Sequence, residues 1–215
     1  DVYTKDYSLE SLVPMYYNGG VYGVNETRSF SVLFYRKDTL TTLGLAVPET
    51  WDDVRAMMPT LLRNSMNFSL PTSGGGAYSI GAVAPFVLQE NGQIYADDGL
   101  SVAIDSENTL TALQEITDFY KIYGVQQSVA SFFNSFRYNQ IPIGIAGYDF
   151  YLQLSMAAPE LKGLWDIALV PGTRQEDGSI RRDYGCNGSA SMIFANSDKQ
   201  AEAWDFLKWW LSSET

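Results

Sequence analysis

The sequence predicts an α/β fold, in which short strands alternate with amphipathic helices. Strand-like runs rich in β-branched and aromatic residues, such as residues 31–35 (SVLFY), are separated by longer runs with helical spacing of apolar residues. Gly, Pro and Asn punctuate the chain between these runs, and the sequence carries no internal repeat and no block of like charges. Alternation of this kind is typical of a sheet packed against helices.

The first third of the chain is predicted to hold strands followed by a helix. An Asn-Gly-Gly turn at residues 18–20 precedes residues 21–24, which are rich in β-branched and aromatic side chains, and then the strand named above. A helix is predicted to begin after Thr50, because an N-cap Thr with Asp53 three residues later is the pattern of a capping box. Pro59 is predicted to kink or end that helix, since proline lacks an amide hydrogen.

The clearest helix is predicted between an N-cap at Ser106 and a stop at Gly124. Its apolar stripe follows steps of three and four residues and comprises Leu110, Leu113, Ile116, Phe119 and Tyr120. Its opposite face carries Glu115, Asp118 and Lys121. The spacing therefore predicts a helix with one face toward a core.

The second half of the chain is predicted to add three strands and a last helix. The strands cover residues 141–147, where Pro142 marks the entry, and then residues 166–170 and 190–194. Ser197 is the predicted N-cap of the last helix, with Gln200 at the capping-box position. The apolar stripe of this helix comprises Ala201, Trp204, Leu207 and Leu211, which makes Trp204 a predicted core residue.

Composition and charge exclude several classes of function. The 14 Lys and Arg residues against 25 Asp and Glu residues give a net charge of −11, which repels nucleic-acid phosphates and anionic membranes. The absence of histidine removes Ser-His-Asp and Cys-His nucleophile pairs and every His-containing zinc site. Cys186 is the single cysteine and cannot form an internal disulfide, and no apolar run is long enough to span a membrane. Any catalysis would rest on carboxylates, Lys or Tyr.

Several motifs in one order carry a resemblance to a known family. They are residues 22–27 (YGVNET) with 32–38 (VLFYRKD), 43–45 (LGL) with 47–53 (VPETWDD), and 203–210 (AWDFLKWW). Together they resemble the extracellular solute-binding proteins of bacterial carbohydrate ABC importers, the family that includes maltose-binding protein. The resemblance runs from about residue 21 to the last helix and includes the Gly147-Tyr148 pair.

The resemblance implies a periplasmic-binding-protein-like fold of type II, in which two α/β lobes close on a sugar. Members of the family are longer than this chain, so we expect a piece that contains mainly the second lobe, a mixed sheet flanked by helices. By this comparison residues 1–20 are a remnant of the first lobe or a linker, and residues 21–175 form the second lobe. Residues 176–215 are then the returning hinge with a partial strand and helix of the first lobe.

The resemblance also implies a function without catalysis. We expect the extracytoplasmic component of an ABC transporter, a monomer that captures a sugar or oligosaccharide and delivers it to the permease, with no cofactor and no metal. In the whole protein we expect a periplasmic receptor or a membrane-anchored lipoprotein, although the signal is not present in this chain. Two alternatives stay open: a glycoside hydrolase with two facing carboxylates, and a non-catalytic carbohydrate-adhesion domain.

The first candidate sugar contact is the turn formed by Tyr148, Asp149 and Phe150. It follows a predicted strand and opens a predicted helix, the place where open α/β sheets bind ligands. Sugar C–H faces pack on aromatic rings, and sugar hydroxyls bind carboxylates and amides. The resemblance implies that one ring of this turn stacks on sugar, Tyr148 first and Phe150 second. The alternative is that both are core aromatics at a helix start.

Five further residues are candidates, four of them by the same comparison. Asn25, Glu26 and Ser29 lie where the family places hydroxyl-binding groups, with a plain polar turn as the alternative. Tyr78 follows a run of glycines and is a candidate wall of the cleft, unless the run is only a flexible connector. Asn187 belongs to a GCNGS segment that resembles the returning hinge, with a tight polar turn as the alternative.

Two other groups of residues are not assigned to a site. Trp209 and Trp210 are expected to be partly exposed because the rest of the protein is absent, rather than to form a sugar platform. The acid pairs at residues 52–53 and 97–98 belong to a helix start and a turn, so neither predicts a metal site.

Overall fold

The structure, a computed structural model, describes residues 15–71 and 79–212, which divide into two units. Unit 2 is Phe30–Gly185, and unit 1 consists of the described residues on either side of it. The strands are β1 (Tyr16–Tyr17), β2 (Gly20–Val21), β3 (Val24–Arg36), β4 (Phe68–Ser69), β5 (Ile143–Gly147), β6 (Trp165–Ala168), β7 (Thr173–Arg174), β8 (Ile180–Arg181) and β9 (Cys186–Ser191). The α-helices are α1 (Lys37–Leu43), α2 (Trp51–Arg63), α3 (Ile80–Gln89), α4 (Glu107–Lys121), α5 (Phe132–Arg137), α6 (Phe150–Ala157) and α7 (Gln200–Trp210), and a 3₁₀ turn covers Pro159–Leu161.

Unit 2 is built on a mixed sheet with the strand order β4-β5-β3-β6. β4 and β5 are parallel, whereas β3 is antiparallel to both of its neighbours, with Leu33 opposite Ile145 on one side and Ala168 on the other. Gly144 allows close packing here, because a Cβ atom at this position would lie 2.6 Å from Cβ of Ser69. The α/β fold with a mixed sheet flanked by helices is confirmed.

Helices cover both faces of this sheet. Successive residues of β3 point to opposite faces, so its side chains enter two different cores. Leu33 belongs to a core that also contains residues of α2, α3 and α4. Val32 and Phe34 belong to a second core, formed with α5, α6 and the 3₁₀ turn. Residues of β3 are thus apolar on both faces, as expected for a central strand with helices on either side.

Helix α2 begins as the capping-box pattern predicts. Oγ1 of Thr50 accepts a hydrogen bond from the amide of Asp53 at 3.3 Å, and Oδ2 of Asp53 accepts one from the amide of Thr50 at 2.9 Å. The next residue, Trp51, is 1% exposed; its ring stacks on Phe86 at 4.6 Å, and its indole N–H donates to Oε1 of Gln89 at 2.7 Å. The cap therefore places a large buried side chain between α2 and α3.

The prediction that Pro59 ends helix α2 is wrong, since the helix continues to Arg63. Proline removes one intrahelical hydrogen bond, and this cost is local. Residues on both sides of it, Met57, Met58 and Leu61, are buried in the core of unit 2. Burial of these side chains offsets the lost hydrogen bond, which is how tertiary packing overrides helix propensity.

Helix α4 is present, with Oγ of Ser106 accepting from the amide of Thr109, but its buried face differs from the predicted stripe. Leu110 and Leu113 are exposed, and the buried residues are Thr109, Ala112, Ile116, Phe119 and Tyr120. α4 packs against α3, and a close helix contact favours a small residue such as Ala112 over Leu. Glu115, predicted on the polar face, has a side chain only 10% exposed that pairs with Arg55 at 2.6 Å.

Unit 1 combines short strands with helix α7. β1 pairs with β2, and β9 pairs with β3, where the hydroxyls of Thr27 and Ser189 lie 2.6 Å apart. Residues 21–24 do not form one strand, because β2 ends at Val21 and β3 begins at Val24. Gly23, between the two strands, packs closely: a Cβ atom there would lie 2.9 Å from the sulfur of Met15.

Two predictions for the last helix are corrected. The N-cap of α7 is Lys199 and not Ser197, whose hydroxyl instead accepts a hydrogen bond from the amide of Lys199 at 3.1 Å. Trp204 is 41% exposed, so it is not the core residue that the helical spacing predicts. A helical stripe is buried only where another layer covers it, and in α7 the buried residue is Leu207.

Candidate functional site

The turn between β5 and α6 is fixed on the sheet by its backbone. Ser31 of β3 pairs with Gly147, the last residue of β5, and the amide of Tyr148 donates a hydrogen bond to the carbonyl of Phe30 at 2.9 Å. α6 begins two residues later, at Phe150. Tyr148 and Asp149 therefore lie beyond the carboxyl end of a strand and before a helix, as the sequence predicts.

Three aromatic side chains at this turn form what we call the ring stack: Phe30, Tyr148 and Tyr151. The ring centroids of Phe30 and Tyr148 are 5.1 Å apart at an interplanar angle of 22°, and those of Tyr148 and Tyr151 are 5.7 Å apart at 6°. Carbon atoms in contact lie about 3.5–4.0 Å apart, so near-parallel rings at these centroid distances are displaced sideways. The residues are 47%, 40% and 40% exposed, which leaves part of each ring open to a ligand.

A carboxylate stands beside the ring stack. Asp149 is exposed and precedes the first residue of α6, and its side chain makes no capping hydrogen bond to the helix. An open aromatic surface next to a hydrogen-bond acceptor suits a ligand that carries both C–H faces and hydroxyl groups.

Phe150 has a different role from Tyr148. It is 6% exposed and lies in the second core, where its ring packs on Phe34 and Phe132, each at a centroid distance of 4.9 Å. A ring enclosed in this way presents no face to a ligand. The prediction of Phe150 as a second sugar contact is therefore wrong, and the core alternative applies to this residue.

The sequence reasoning missed two members of the ring stack. Tyr151 follows Tyr148 by three residues at the start of a predicted helix, and side chains three apart on a helix are neighbours, so the sequence did carry a signal for it. Phe30 carries no local signal. It reaches Tyr148 only through the pairing of β3 with β5, which joins residues more than a hundred positions apart.

A second polar and aromatic group lies in unit 1, around Glu26. Its Oε1 accepts a hydrogen bond from the indole N–H of Trp210 at 2.5 Å, and its Oε2 accepts one from the hydroxyl of Ser191 at 3.3 Å. The ring of Trp210 stacks on Phe206 at 6.2 Å and an angle of 11°. Glu26 and Trp210 are both exposed, so within unit 1 this group is open to solvent.

The remaining predicted contacts lie in strands or outside the description. Asn25, Glu26 and Ser29 all belong to β3, so they form a strand and not the polar turn of the alternative. Asn187 belongs to β9, which excludes a tight turn over that segment, and its side chain lies outside the description. Tyr78 falls in residues 72–78, which lie outside the described part of the chain.

Shifted carboxyl pKa values in the described residues are explained by structural contacts. Burial raises the pKa of Glu115 and outweighs the attraction of Arg55. The pKa of Asp38 is lowered, first by its hydrogen bond from Arg36, and that of Asp98 is lowered to about 2 by its bonds from the side chain and backbone of Ser101. Glu115 joins α4 to α2 through Arg55, whereas Asp38 and Asp98 bond to residues two and three positions away. None of the three carboxyl groups belongs to the turn at Tyr148.

The part of the chain that the structure describes holds neither a metal-binding cluster nor a membrane-spanning helix. Within residues 15–71 and 79–212, no group of three or more His, Cys, Asp or Glu side chains is placed to hold a metal ion. Among the helices of those same residues, none has the length and apolar content needed to cross a bilayer.

Comparison with known proteins identifies the family and the fold. A family model described as bacterial extracellular solute-binding protein matches residues 1–215. A solute-binding protein from Thermotoga lettingae, solved with α-D-tagatose, superposes with a TM-score of 0.80 at 21% identity over 98% of this chain and 55% of its own. The acarbose receptor GacH of Streptomyces glaucescens gives 0.78 at 19% identity, with 98% and 53% covered. Maltose-bound MalE3 of T. maritima gives 0.78 at 20%, with 98% and 55% covered.

The chain spans about half the length of the solved structures it matches. No curated protein sequence matches it. The mixed sheet with helices on both faces agrees with the periplasmic-binding-protein-like fold of those structures. Because the family model covers the printed sequence from end to end, the chain belongs to the bacterial extracellular solute-binding proteins.

Proposed function

We propose that this chain is part of the sugar-binding component of a bacterial ABC importer, and that the ring stack with Asp149 is the sugar contact of unit 2. The observation that carries the proposal is an exposed aromatic surface beside the exposed carboxylate of Asp149, at the carboxyl end of β5. C–H faces of a pyranose pack on such rings, and the carboxylate accepts hydrogen bonds from hydroxyl groups.

The solved structures with the same fold support a sugar as the ligand. They include proteins bound to α-D-tagatose and to maltose and a receptor for acarbose. Their sequences are too different from this chain to transfer one particular sugar. The exposed rings of this chain favour a carbohydrate as the ligand. Which carbohydrate binds depends on the stereochemistry of its hydroxyl groups.

The arrangement in the whole protein follows from the same proposal. Residues 21–175 form the second lobe, and residues 176–215 form the returning hinge with a partial strand and helix of the first lobe. Ligand contacts on both lobes favour the closed state, since a ligand shifts a conformational equilibrium only by binding one state more tightly. The loaded receptor is a monomer outside the cytoplasm, either periplasmic or attached to the membrane by a lipid anchor. It delivers its sugar to the permease.

The proposed receptor binds its sugar without breaking it. A retaining or inverting glycosidase needs a carboxylic acid with a raised pKa facing a second carboxylate. In the described residues, the carboxyl group with a raised pKa is Glu115, and it is enclosed between α2 and α4 against Arg55. Its raised pKa has a structural cause, which favours binding over hydrolysis.

The proposal is tested by sugar titrations that follow thermal unfolding. A panel of D-glucose, D-tagatose, maltose and maltotriose is added to the chain and to Tyr148→Ala. The matched control is Tyr138→Ala, because Tyr138 is 68% exposed, follows α5 and, among the described residues, has no ring contact with the ring stack. We expect at least one sugar to raise the unfolding temperature of the chain and of the control variant, and to lose most of that effect in Tyr148→Ala.

The size of the response tests the two-lobe arrangement. The chain offers the contacts of one lobe, so we expect a small shift here and a clear one in a longer protein that contains both lobes. Equal and strong shifts in both would contradict closure by two lobes. A panel without any response in either protein would overturn the proposal of a sugar receptor.

A further inference from the structure

Asn-Gly pairs occur in the chain at residues 18–19, 91–92 and 187–188. In such a pair the backbone nitrogen of glycine can attack the side-chain amide carbon of asparagine, because the two groups close a five-membered ring. Glycine favours this attack, since it has no Cβ atom to obstruct the approach and its backbone rotates freely. The third pair lies within strand β9, whereas in the first two the asparagine has a positive φ. The surroundings of these first two pairs differ sharply.

The first pair forms the turn between β1 and β2. Tyr17 pairs with Gly20, so Asn18 and Gly19 alone make up the loop, and their φ values of 45° and 81° are typical of a type I′ hairpin turn. Asn18 is exposed, and a Cβ atom at Gly19 would have no heavy atom within 4 Å beyond its chain neighbours. Among the described residues, neither the side chain of Asn18 nor the amide of Gly19 has a hydrogen-bond partner. Neither reacting group therefore has to break a hydrogen bond first.

The second pair starts from a similar backbone, with a φ of 59° at Asn91, but both of its reacting groups are held. The side-chain N–H of Asn91 donates to Oε1 of Gln175 at 2.8 Å, and its Oδ1 accepts from the guanidinium of Arg181 at 2.5 Å. The amide of Gly92 donates to the carbonyl of Val87 at 2.8 Å. These bonds must open before the glycine nitrogen can reach the side chain of Asn91.

We propose that Asn18 is a self-modification site selected by the fold, at which the chain converts its own asparagine to aspartate and isoaspartate in water. The backbone nitrogen of Gly19 forms a bond to Cγ of Asn18. The bond from Cγ to the side-chain nitrogen breaks, and that nitrogen leaves as ammonia with the proton of the Gly19 amide. Water then opens the cyclic imide at either of its carbonyl groups. The reaction consumes one water, releases one ammonia and needs no oxidant or cofactor.

The product alters the hairpin that carries it. Isoaspartate routes the main chain through the former side chain and so lengthens the turn by one carbon atom, and either product adds a negative charge. The length of a hairpin turn fixes the register of its strands, so the longer turn no longer matches the pairing of Tyr17 with Gly20. The reaction therefore makes a slow, irreversible change in unit 1, and it does not depend on the proposed sugar binding.

The test follows the folded chain at neutral pH by peptide mapping with mass spectrometry, which detects the mass gained when an amide becomes an acid. Each hydrogen bond that must open lowers the reactive population about fivefold, and the second pair has three of them. We expect Asn18 to react at least about tenfold faster than Asn91. In concentrated urea the two rates should converge, because the contacts that protect Asn91 are lost.

A pair of variants tests the protection of Asn91. Gln175→Ala removes one hydrogen-bond partner and should speed the reaction of Asn91 about fivefold, with that of Asn18 unchanged. Gln175 also donates to the carbonyls of Gln89 and Thr173, so a preserved amide spectrum is needed to show that the variant folds. Gln127→Ala, at an exposed position, is the matched control and should change neither rate.

The inference has clear contrary outcomes. Equal rates at Asn18 and Asn91 in the folded chain would overturn it, and so would a difference that persists in urea, since the fold would then not select the site. An Asn91 rate that is the same in Gln175→Ala and in the chain would contradict protection by hydrogen bonding.

Discussion

Tyr148 and Phe150 are two residues apart, but Tyr148, the proposed sugar contact, is partly exposed, whereas Phe150 is buried in a core. Phe150 is 6% exposed and has four aromatic neighbours in the second core, at centroid distances of 4.9–6.4 Å: Phe34, Phe132, Phe133 and Phe136. Truncating a buried Phe to Ala typically costs about 3–5 kcal/mol. Because four rings lose a partner at once, we expect Phe150→Ala to lie in the upper part of that range, about 4–5 kcal/mol.

The matched change at the neighbouring ring should behave differently. Tyr148 is 40% exposed and contacts Phe30 and Tyr151 at the surface, so Tyr148→Ala should cost about 1 kcal/mol or less. Phe150→Leu keeps most of the volume and should cost under about 1.5 kcal/mol. The three variants therefore separate a cavity effect from a surface effect.

Urea unfolding followed by the amide signals of β5 measures these differences within unit 2. The strand lies between β4 and β3, so its signals report the sheet that Phe150 supports. The reasoning would be refuted if Phe150→Ala changed the free energy of unfolding by less than about 0.5 kcal/mol while abolishing sugar binding. That result would make Phe150 a ligand contact and not a core residue.

Three further predictions concern helix ends and a buried ion pair. Thr50→Ala removes the capping box with Asp53 and should destabilise unit 2 by about 1 kcal/mol in urea. Ser65 has a φ of 57°, where Gly is less strained, so Ser65→Gly should stabilise by about 0.5–1 kcal/mol. Burial raises the pKa of Glu115, so the folded state holds this proton more tightly than the unfolded state does. The resulting stabilisation is present at low pH and is lost as the pH rises above about 4.5. Glu115→Gln should flatten that part of the plot of stability against pH.

Controls for these changes are available on the same surfaces. Thr111→Ala alters an exposed threonine within α4, away from any cap, and should change stability by less than about 0.5 kcal/mol. A loss in Thr111→Ala equal to that in Thr50→Ala would contradict the capping argument. For Glu115, a pH profile identical in the chain and in Glu115→Gln would show that this carboxyl group does not titrate differently on folding.

Local features of the fold were readable in the sequence because their physics is local. The Thr50 and Asp53 capping box joins residues within one turn, and the Ser106 cap does the same for α4. The turn at Tyr148 follows from the order of strand and helix patterns. Each of these features is fixed by neighbours within a few positions, so a pattern in the sequence is enough to find it.

The features that the sequence missed depend on contacts between distant residues. Helix α4 buries Ala112 in place of Leu113 because α3 packs there, and no spacing rule contains that partner. The same limit applies to Phe150, whose burial is set by rings of β3 and α5. Phe30 joined the site only through the register of β3 and β5.

The most direct test of the sugar-receptor assignment is an NMR map of the backbone amides that shift when maltotriose is added to the chain. The account predicts that the largest shifts within unit 2 fall at Phe30, Tyr148, Asp149 and Tyr151, at the end of β5. Shifts concentrated elsewhere in unit 2, for example around Asn67 before β4, would contradict the assignment of the ring stack as the sugar contact.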